Sequence, residues 1–169
     1  MLAGDRLRKQ KLNNMPQKRP PIFLYTDGSS RGNPGPGGWG VVLVCGDKRK
    51  ELSGGEALTT NNRMELTAVI EGLKAIKWKN ATVEVWSDSS YVVKAIEEGW
   101  LEGWIANGFR DKHNKKKKNE ELWMEYVEVS KGFDLHYHWL KGHAGHPENE
   151  RCDALAFAQA SLYAQENKT

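Results

Sequence analysis

Residues 82–99 have the sequence TVEVWSDSSYVVKAIEEG, which predicts one strand, one loop and one helix in succession. The apolar-rich segment Thr82–Trp86 predicts a β-strand that ends just before Asp88. Ser89 is a good N-cap for the following helix, and Gly99 is a typical helix stop. A strand followed directly by a helix is the basic unit of α/β sheets.

Three further strands are predicted upstream of this unit. Ile22–Tyr25 is apolar and runs directly into Asp27, whereas Trp39–Val44 and Lys48–Ser53 are separated only by a short turn. Residues 31–38, RGNPGPGG, contain too much glycine and proline for a regular element and predict a loop. The first part of the chain therefore predicts a meander of strands.

The remaining elements are predicted from apolar periodicity and capping residues. A helix begins after the polar segment 59–62, because apolar residues then recur at steps of three and four: Met64, Leu66, Val69, Leu73 and Ile76. Residues 100–119 predict an irregular segment, after which Asn119 caps a helix over 120–130. A fifth strand covers 135–140, and the last helix runs from Glu148. The side of this helix predicted to face the core carries Cys152, Leu155, Ala158 and Leu162.

The predicted order of elements is β-β-β-α-β-α-α-β-α. A meander followed by βαβ units predicts an α/β fold, with helices packed on the faces of one mixed sheet. The length of 169 residues fits a single domain with a substantial core.

Composition excludes several classes of protein. The chain is 38% hydrophobic and 28% charged, with a mean hydropathy of -0.70, which is typical of a globular protein and not of a disordered one. No apolar stretch approaches the roughly 20 residues of a membrane span. The two cysteines, Cys45 and Cys152, have no metal-knuckle spacing and form no disulfide framework, which favours a reducing, cytoplasmic location.

Charge is distributed unevenly along the chain. Residues 1–20 sum to +5 and residues 110–118 also sum to +5, so a net charge of +3 leaves -7 on the rest. An acidic body with two basic segments indicates a polyanionic partner that the basic segments contact. The alternative from charge alone is two solvated runs without a partner.

Four acidic residues have special positions in this layout: Asp27, Glu65, Asp88 and Asp153. The first and third follow strands, and the other two lie near the starts of helices. Each one alone is explained by a turn, a cap or the helix dipole. Together they suit a hard divalent cation such as Mg²⁺, which prefers oxygen ligands and keeps waters for phosphate chemistry.

Five motifs in order carry a resemblance to a known family. They are YTDGS at 25–29, GNPGPGG at 32–38, TTNNRMEL at 59–66, SDS at 87–89 and KGHAGHPENERCD at 141–153. Together they resemble type 1 ribonuclease H, and most closely its bacterial ribonuclease HI form. The resemblance spans about residues 22–162.

The resemblance implies a five-stranded mixed sheet with helices on both faces. It divides the chain into a flexible basic arm, residues 1–20, and a catalytic domain, residues 21–165. It also implies cleavage of the RNA strand of RNA–DNA hybrids by a cytoplasmic monomer that needs no protein partner or membrane, leaving 5′-phosphate and 3′-hydroxyl ends. The alternatives are a catalytically idle hybrid-binding module and another metal-dependent nuclease of the same superfamily.

The resemblance also implies roles for individual residues. The four acidic residues are implied to hold two Mg²⁺ ions, with Mn²⁺ as a substitute, and His143 to aid proton transfer or product release. Amide side chains are implied to read 2′-hydroxyls of the RNA strand. The implied substrate-contacting residues are Asn33, Thr60, Asn61, Asn62, Asn149, Trp100, Trp104, Lys115, Lys116, Lys117 and Lys118, although core packing is the alternative for the two tryptophans.

Overall fold

The computed structural model describes residues 19–142 and 145–167. The predicted arm therefore lies outside the described residues except for its last two positions, and His143 lies outside them as well. The strands are β1 (Ile22–Ser30), β2 (Gly35–Cys45), β3 (Lys48–Thr59), β4 (Thr82–Ser87) and β5 (Asp134–Trp139). The helices are α1 (Asn61–Lys74), α2 (Ser90–Glu97), α3 (Trp100–Ala106), α4 (Glu120–Ser130) and α5 (Pro147–Glu166).

The strands form one mixed sheet in the order β3-β2-β1-β4-β5. The pairs β1–β2 and β2–β3 are antiparallel, as a meander requires, whereas β1–β4 and β4–β5 are parallel. This confirms the predicted α/β fold with a five-stranded mixed sheet. Because β1 and β4 are parallel neighbours, their carboxyl ends meet at one edge of the sheet, where α/β proteins collect their sites.

Helices α1 and α5 cover opposite faces of the sheet. Leu24 of β1 contacts α1 at Gly72, whereas Gly40 of β2 lies against α5 at Cys152. Gly40 pairs with Asp27 of β1, and Leu24 lies three positions before Asp27 in the same strand. Because side chains alternate along a strand, those of Leu24 and Asp27 point to opposite faces. The predicted apolar face of α1 is confirmed, since its Met64, Leu66, Val69 and Leu73 are at most 1% exposed.

The prediction of a loop over residues 31–38 is wrong for its second half, because β2 begins at Gly35. The reason lies in how closely α5 approaches the strand. A Cβ atom at Gly38 would lie 2.2 Å from the carbonyl oxygen of Ala156, and one at Gly40 would lie 2.4 Å from that of Cys152. Glycine is required here for helix–sheet packing and not for a loop.

The core side predicted for α5 is confirmed only at Cys152, because Leu155 is half-buried and Ala158 is exposed. The buried residues of α5 are Asn149, Cys152, Ala156 and Ala160, whereas Leu162 is 53% exposed. A helix that rests on a glycine-lined strand needs small side chains at the contact, so alanine and cysteine occupy it. The larger apolar residues of α5 therefore do not mark its buried face.

Residues 100–119 were predicted to be irregular, but Trp100–Ala106 forms helix α3. Its Leu101 is buried and anchors the helix on the core, and Phe109, just after the helix, is only 2% exposed. The described residues therefore form five helices where the sequence predicted four. Among the described residues, no helix is long and apolar enough to cross a membrane.

Candidate active site

Three acidic side chains meet at the edge of the sheet where β1 and β4 run in parallel. Asp27, Glu65 and Asp88 each place a carboxylate oxygen so that all three oxygens lie within 4.8 Å of one another. Asp88 directly follows β4, and Glu65 lies in the first turns of α1. Asp27 was predicted to end its strand, but β1 continues to Ser30, so Asp27 is inside the sheet. The three residues come from elements far apart in the sequence.

The approach of Asp27 to Glu65 depends on Gly28. A Cβ atom at Gly28 would lie 2.3 Å from the carbonyl carbon of Met64 and 2.4 Å from the amide nitrogen of Glu65. Real Cβ atoms do not approach backbone this closely, so only glycine allows β1 to lie against the start of α1. The Gly28 amide also donates to the Asp27 Oδ1 at 2.8 Å, which orients that carboxylate.

The start of α1 is set by capping. Thr60 is the N-cap, and its hydroxyl accepts a hydrogen bond from the backbone amide of Arg63 at 3.2 Å. Satisfying this free amide fixes where the first turn begins. Glu65 is thereby presented toward the sheet from the second turn. Thr60, which was predicted to contact substrate, therefore also caps helix α1.

The electrostatics of the cluster favour a cation. Burial, and then the charges of Asp27 and Asp88, raise the pKa of Glu65 well above its usual value. The Glu65 Oε2 is buried and meets no hydrogen-bond donor in residues 19–142 and 145–167. Like charges this close disfavour full ionisation. An all-oxygen set of clustered carboxylates fits a hard divalent metal ion, which would replace the missing donors and offset the repulsion.

Asp153 stands outside this group of three. It lies in the second turn of α5, where its side chain is exposed. Its neighbour Cys152 donates from Sγ to the backbone oxygen of Tyr25 at 3.3 Å, two residues before Asp27. Burial, and then the charge of Asp27, raise the pKa of the Cys152 thiol. This turn of α5 therefore packs beside the cluster, with Asp153 on its solvent side.

The segment that carries His143 begins beside Asp88. Trp139 at the end of β5 donates from its Nε1 to the backbone oxygen of Asp88 at 3.1 Å. The Lys141 ammonium lies 5.4 Å from the centre of the Trp139 ring. His143 itself lies outside the described residues, so its predicted part in the chemistry stays a prediction.

Two of the predicted substrate-reading asparagines form a linked pair at the mouth of the site. The backbone amide of Asn61 donates to the Asn33 Oδ1 at 3.2 Å, and the Ser30 amide donates to the Asn61 Oδ1 at 2.8 Å. Both asparagines are exposed. Both oxygens accept from backbone amides, and the amide NH₂ group of each side chain can act only as a donor.

The other two predicted amides differ in exposure. Asn62 is exposed and lines a shallow pocket of about 190 Å³ with Tyr91, Trp104 and Lys117. Asn149, in contrast, is only 1% exposed, and its Nδ2 donates to the backbone oxygen of Trp86 at 3.4 Å. The structure therefore places Asn149 as a buried link between α5 and β4.

Of the predicted aromatic and lysine residues, Trp104, Lys117 and Lys118 line this pocket, and Trp100 lines another pocket with Trp104 and Lys117. Trp100 is 43% exposed, whereas Trp104 is half-buried and packs against the rings of Tyr91 and Trp123. The Lys117 ammonium lies 5.1 Å from the centre of the Trp104 ring. Trp104 therefore packs against neighbouring aromatic rings and also contacts Lys117 of the basic segment.

Residues 110–118, here called the basic loop, form a closed turn. Arg110 and Lys116 pair as an antiparallel bridge, and the Asp111 Oδ1 accepts from the backbone amides of His113 and Lys115. Lys115, Lys116 and Lys118 are exposed. The loop is followed by Asn119, which was predicted to cap α4 but makes no side-chain cap hydrogen bond. Its Oδ1 instead accepts from Arg63 at 3.2 Å.

The sequence analysis missed two packing contacts, one at Gly28 of β1 and one at Arg31 just after this strand. Gly28 stands inside the DGS motif, yet only the three-dimensional approach of α1 shows that a side chain has no room there. Arg31 was treated as part of a loop, but its guanidinium lies 4.9 Å from the centre of the Phe157 ring on α5. A contact between two residues that are 126 positions apart leaves no local pattern in the sequence.

Comparison with known proteins gives the same family throughout. The family model described as RNase H matches residues 19–161. A ribonuclease H of Sulfurovum sp. (strain NBC37-1) is 58% identical over 144 residues, covering 85% of this chain and 93% of that protein. A ribonuclease H of Bradyrhizobium diazoefficiens is 54% identical over 137 residues, covering 81% of this chain and 88% of that protein.

Solved structures agree with these matches. LC9-RNase H1, a type 1 RNase H with the type 2 active-site motif, superposes with a TM-score of 0.77 at 33% identity. That likeness covers 88% of this chain and 75% of the other. LC11-RNase H1 in complex with an RNA/DNA hybrid superposes with a TM-score of 0.60 at 25% identity, covering 83% of this chain and 97% of the other.

Proposed function

We propose a two-metal mechanism for this chain, which belongs to the ribonuclease H family and is a hydrolase that cleaves the RNA strand of RNA–DNA hybrids. The metal ions would be held by the carboxylates of its site. The observation that carries the proposal is the convergence of Asp27, Glu65 and Asp88 within 4.8 Å. The family is metal-dependent, and the proposed ion is Mg²⁺, with Mn²⁺ able to replace it.

The proposed division of labour is the one that the resemblance to the family implies. Asp27 would hold both ions, while Glu65 and Asp88 would hold one of them. Asp153, exposed at the rim, would complete the other. When bound, such a pair of ions activates a water and stabilises the leaving oxygen of a phosphodiester. The products would carry 5′-phosphate and 3′-hydroxyl ends.

Side chains around the carboxylates would select the strand that is cut. A hybrid has 2′-hydroxyls on one strand only, and its minor groove is wide and shallow enough for side chains to reach. The NH₂ groups of Asn33 and Asn61 can donate to such hydroxyls, while their oxygens accept from backbone amides. We propose that this pair, with Asn62 beside it, distinguishes RNA from DNA.

The proposal also covers the domain bounds, the location, the oligomeric state and the partner of the chain. Residues 21–165 would form the catalytic domain, and residues 1–20 would be a separate basic arm. The enzyme would act as a cytoplasmic monomer with no obligate protein partner. The proposed partner is the hybrid duplex alone.

The experiment that tests the function is cleavage of an end-labelled RNA–DNA hybrid with and without Mg²⁺. Duplex RNA and duplex DNA of the same sequence serve as matched controls. Cleavage confined to the RNA strand of the hybrid and dependent on the metal supports the proposal. Binding of the hybrid without cleavage would favour the idle binding module, and cleavage of duplex DNA would favour another nuclease of the superfamily.

His143→Ala is expected to slow turnover by about 10²-fold or less. General acid–base assistance is usually worth about 10² to 10⁴ in rate, and the metal ions would perform the main part of the reaction. The affinity for the hybrid should barely change. Single-turnover rates and binding curves for the variant check both statements, and a loss as complete as that of Asp27→Asn would contradict the auxiliary role.

Changing Lys115, Lys116, Lys117 and Lys118 together to serine is expected to weaken binding and flatten its salt dependence. Each phosphate contact on a duplex contributes about -0.9 to the slope of log affinity against log salt, so the slope should change by roughly one to three units. The rate at saturating substrate should stay nearly constant, because the proposed lysine contacts involve no reacting atom. Loss of affinity should not depend on sequence, since phosphates carry no base information.

A matched control for this variant removes four lysines from the opposite end of the sheet. Lys48, Lys50, Lys77 and Lys79 are all exposed there, and their change to serine lowers the net charge equally. The control should flatten the salt slope much less. Equal slopes for the two variants would show that only the net charge matters and that the basic loop makes no specific contact.

A further inference from the structure

Arg31 is a cation just beyond the end of β1, the strand that carries Asp27, and the proposed mechanism gives it no role. It follows β1 directly, and its backbone amide donates to the Pro36 oxygen at 2.7 Å. Its guanidinium carbon lies 4.9 Å from the centre of the Phe157 ring, and its Nη2 donates to the Ser161 hydroxyl. Both the backbone and the side chain are therefore held in place.

The surroundings of Arg31 indicate a binding surface and not a core contact. Phe157 is 61% exposed although it is a large apolar side chain. Arg31 is itself exposed. An aromatic ring that supports an arginine at the surface restricts the planar guanidinium while leaving its edges open. Such a fork matches the geometry of a phosphate.

The position of Arg31 relative to the carboxylates follows from the course of β1. Asp27, Ser29 and Arg31 alternate along β1 and its continuation, so they lie on one side of the sheet. Four residues of extended chain separate Arg31 from Asp27 by about 13 Å. Base pairs of a duplex rise about 3.4 Å each, so this distance corresponds to roughly four nucleotides.

The neighbours of Arg31 determine which strand it would contact. Ser30, the residue before it, donates to Asn61, and Asn33, two residues after it, accepts from Asn61. This pair is proposed above to read 2′-hydroxyls, which only the RNA strand carries. The basic loop, in contrast, precedes α4 and borders the pocket that Asn62 lines.

We propose that Arg31, supported by Phe157, binds a phosphate of the RNA strand within about four nucleotides of the scissile bond. This inference rests on the proposed hybrid cleavage at the carboxylates. An acidic site repels the substrate backbone, so a fixed cation beside it would hold the RNA strand in register with the site. The contact is electrostatic and adds no sequence preference.

The first test compares the full-length chain with Arg31→Gln, Phe157→Leu and a control, Lys79→Gln, which removes an exposed charge at the far end of the sheet. Hybrid affinity is measured in EDTA, where no cleavage occurs, across a series of salt concentrations. For Arg31→Gln the salt slope should flatten by about 0.9. Phe157→Leu should keep the slope and weaken binding about two- to fivefold. Lys79→Gln should match the wild-type chain.

The second test identifies the phosphate. Single methylphosphonates, which remove one backbone charge, are placed in turn at each position of the RNA strand and then of the DNA strand. One position in the RNA strand should weaken binding of the wild-type chain but leave binding of Arg31→Gln unchanged. If the position whose effect disappears in Arg31→Gln lies in the DNA strand, or if no position in either strand loses its effect in that variant, the inference is overturned.

The two proposals fail in different ways. If the wild-type chain does not cleave the hybrid in Mg²⁺, the proposed function fails. If it cleaves normally but Arg31→Gln retains the wild-type salt slope and KM, then only the role of Arg31 is wrong. Circular dichroism of each variant verifies that the fold is retained.

Discussion

Asp27→Asn is expected to abolish metal-dependent cleavage while leaving the fold intact. The substitution keeps the shape of the side chain but removes the charge that would be shared by both ions. Losing about 4 kcal/mol of transition-state stabilisation corresponds to roughly a 10³-fold slower reaction, and a metal site supplies at least several kcal/mol. The measurement is single-turnover cleavage of a labelled hybrid at saturating Mg²⁺. Retention of more than a tenth of the wild-type rate would refute the assignment of the site.

The same variant has a second expected effect, which needs no substrate. The pKa of Glu65 is raised in the folded chain, so the unfolded chain releases that proton more readily. A raised carboxyl pKa therefore lowers stability as the pH rises above the ordinary value of 4.5. Removing the Asp27 charge relieves part of this repulsion. In metal-free buffer, Tm should be higher than wild type at pH 7, and the difference should shrink as the pH approaches 4.

Addition of Mg²⁺ supplies the control for that interpretation. A ligand that binds only the folded state raises Tm, and the rise grows with its concentration. The wild-type chain should gain stability from Mg²⁺, whereas Asp27→Asn should gain less. An equal gain in both chains would show that the ion binds elsewhere.

Much of the fold could be predicted because its signals are local. The periodic apolar face of α1 and the Ser89 cap of α2 are each contained within one element, and both are found in the structure. The three clustered carboxylates were predicted from strand ends and helix starts together with the family motifs. In these places propensity, capping and burial favour the same structure.

The errors occur where packing between distant elements determines the structure. Gly35–Gly38 was predicted to be a loop from its composition, yet α5 needs glycine in a strand at that place. Leu162 was predicted to be in the core from its hydrophobicity, yet the close approach of α5 leaves room only for small side chains. Composition reports what a residue prefers, whereas a close approach of two elements determines what can fit.

Gly28→Ala is expected to lower both stability and activity strongly, because the added methyl group falls between β1 and α1. The added Cβ would lie 2.3 Å from the Met64 carbonyl carbon and 2.4 Å from the Glu65 amide, so β1 and α1 must move apart. Overpacking of this kind typically costs about 1–3 kcal/mol of stability. The movement also separates Asp27 from Glu65, and a displacement of about 1 Å at a reacting centre can reduce the rate about 10²-fold.

The prediction for Gly28 is tested against Gly103→Ala, a methyl added in α3 where nothing lies within 4 Å. That control should be neutral or slightly stabilising, because alanine favours helix over glycine by up to about 1 kcal/mol. For Gly28→Ala, urea denaturation should show the loss of stability, and the Mg²⁺ concentration for half-maximal activity should rise, since the ligands no longer converge. If Gly28→Ala kept wild-type stability and metal dependence, the close contact of β1 with α1 would not be what assembles the site.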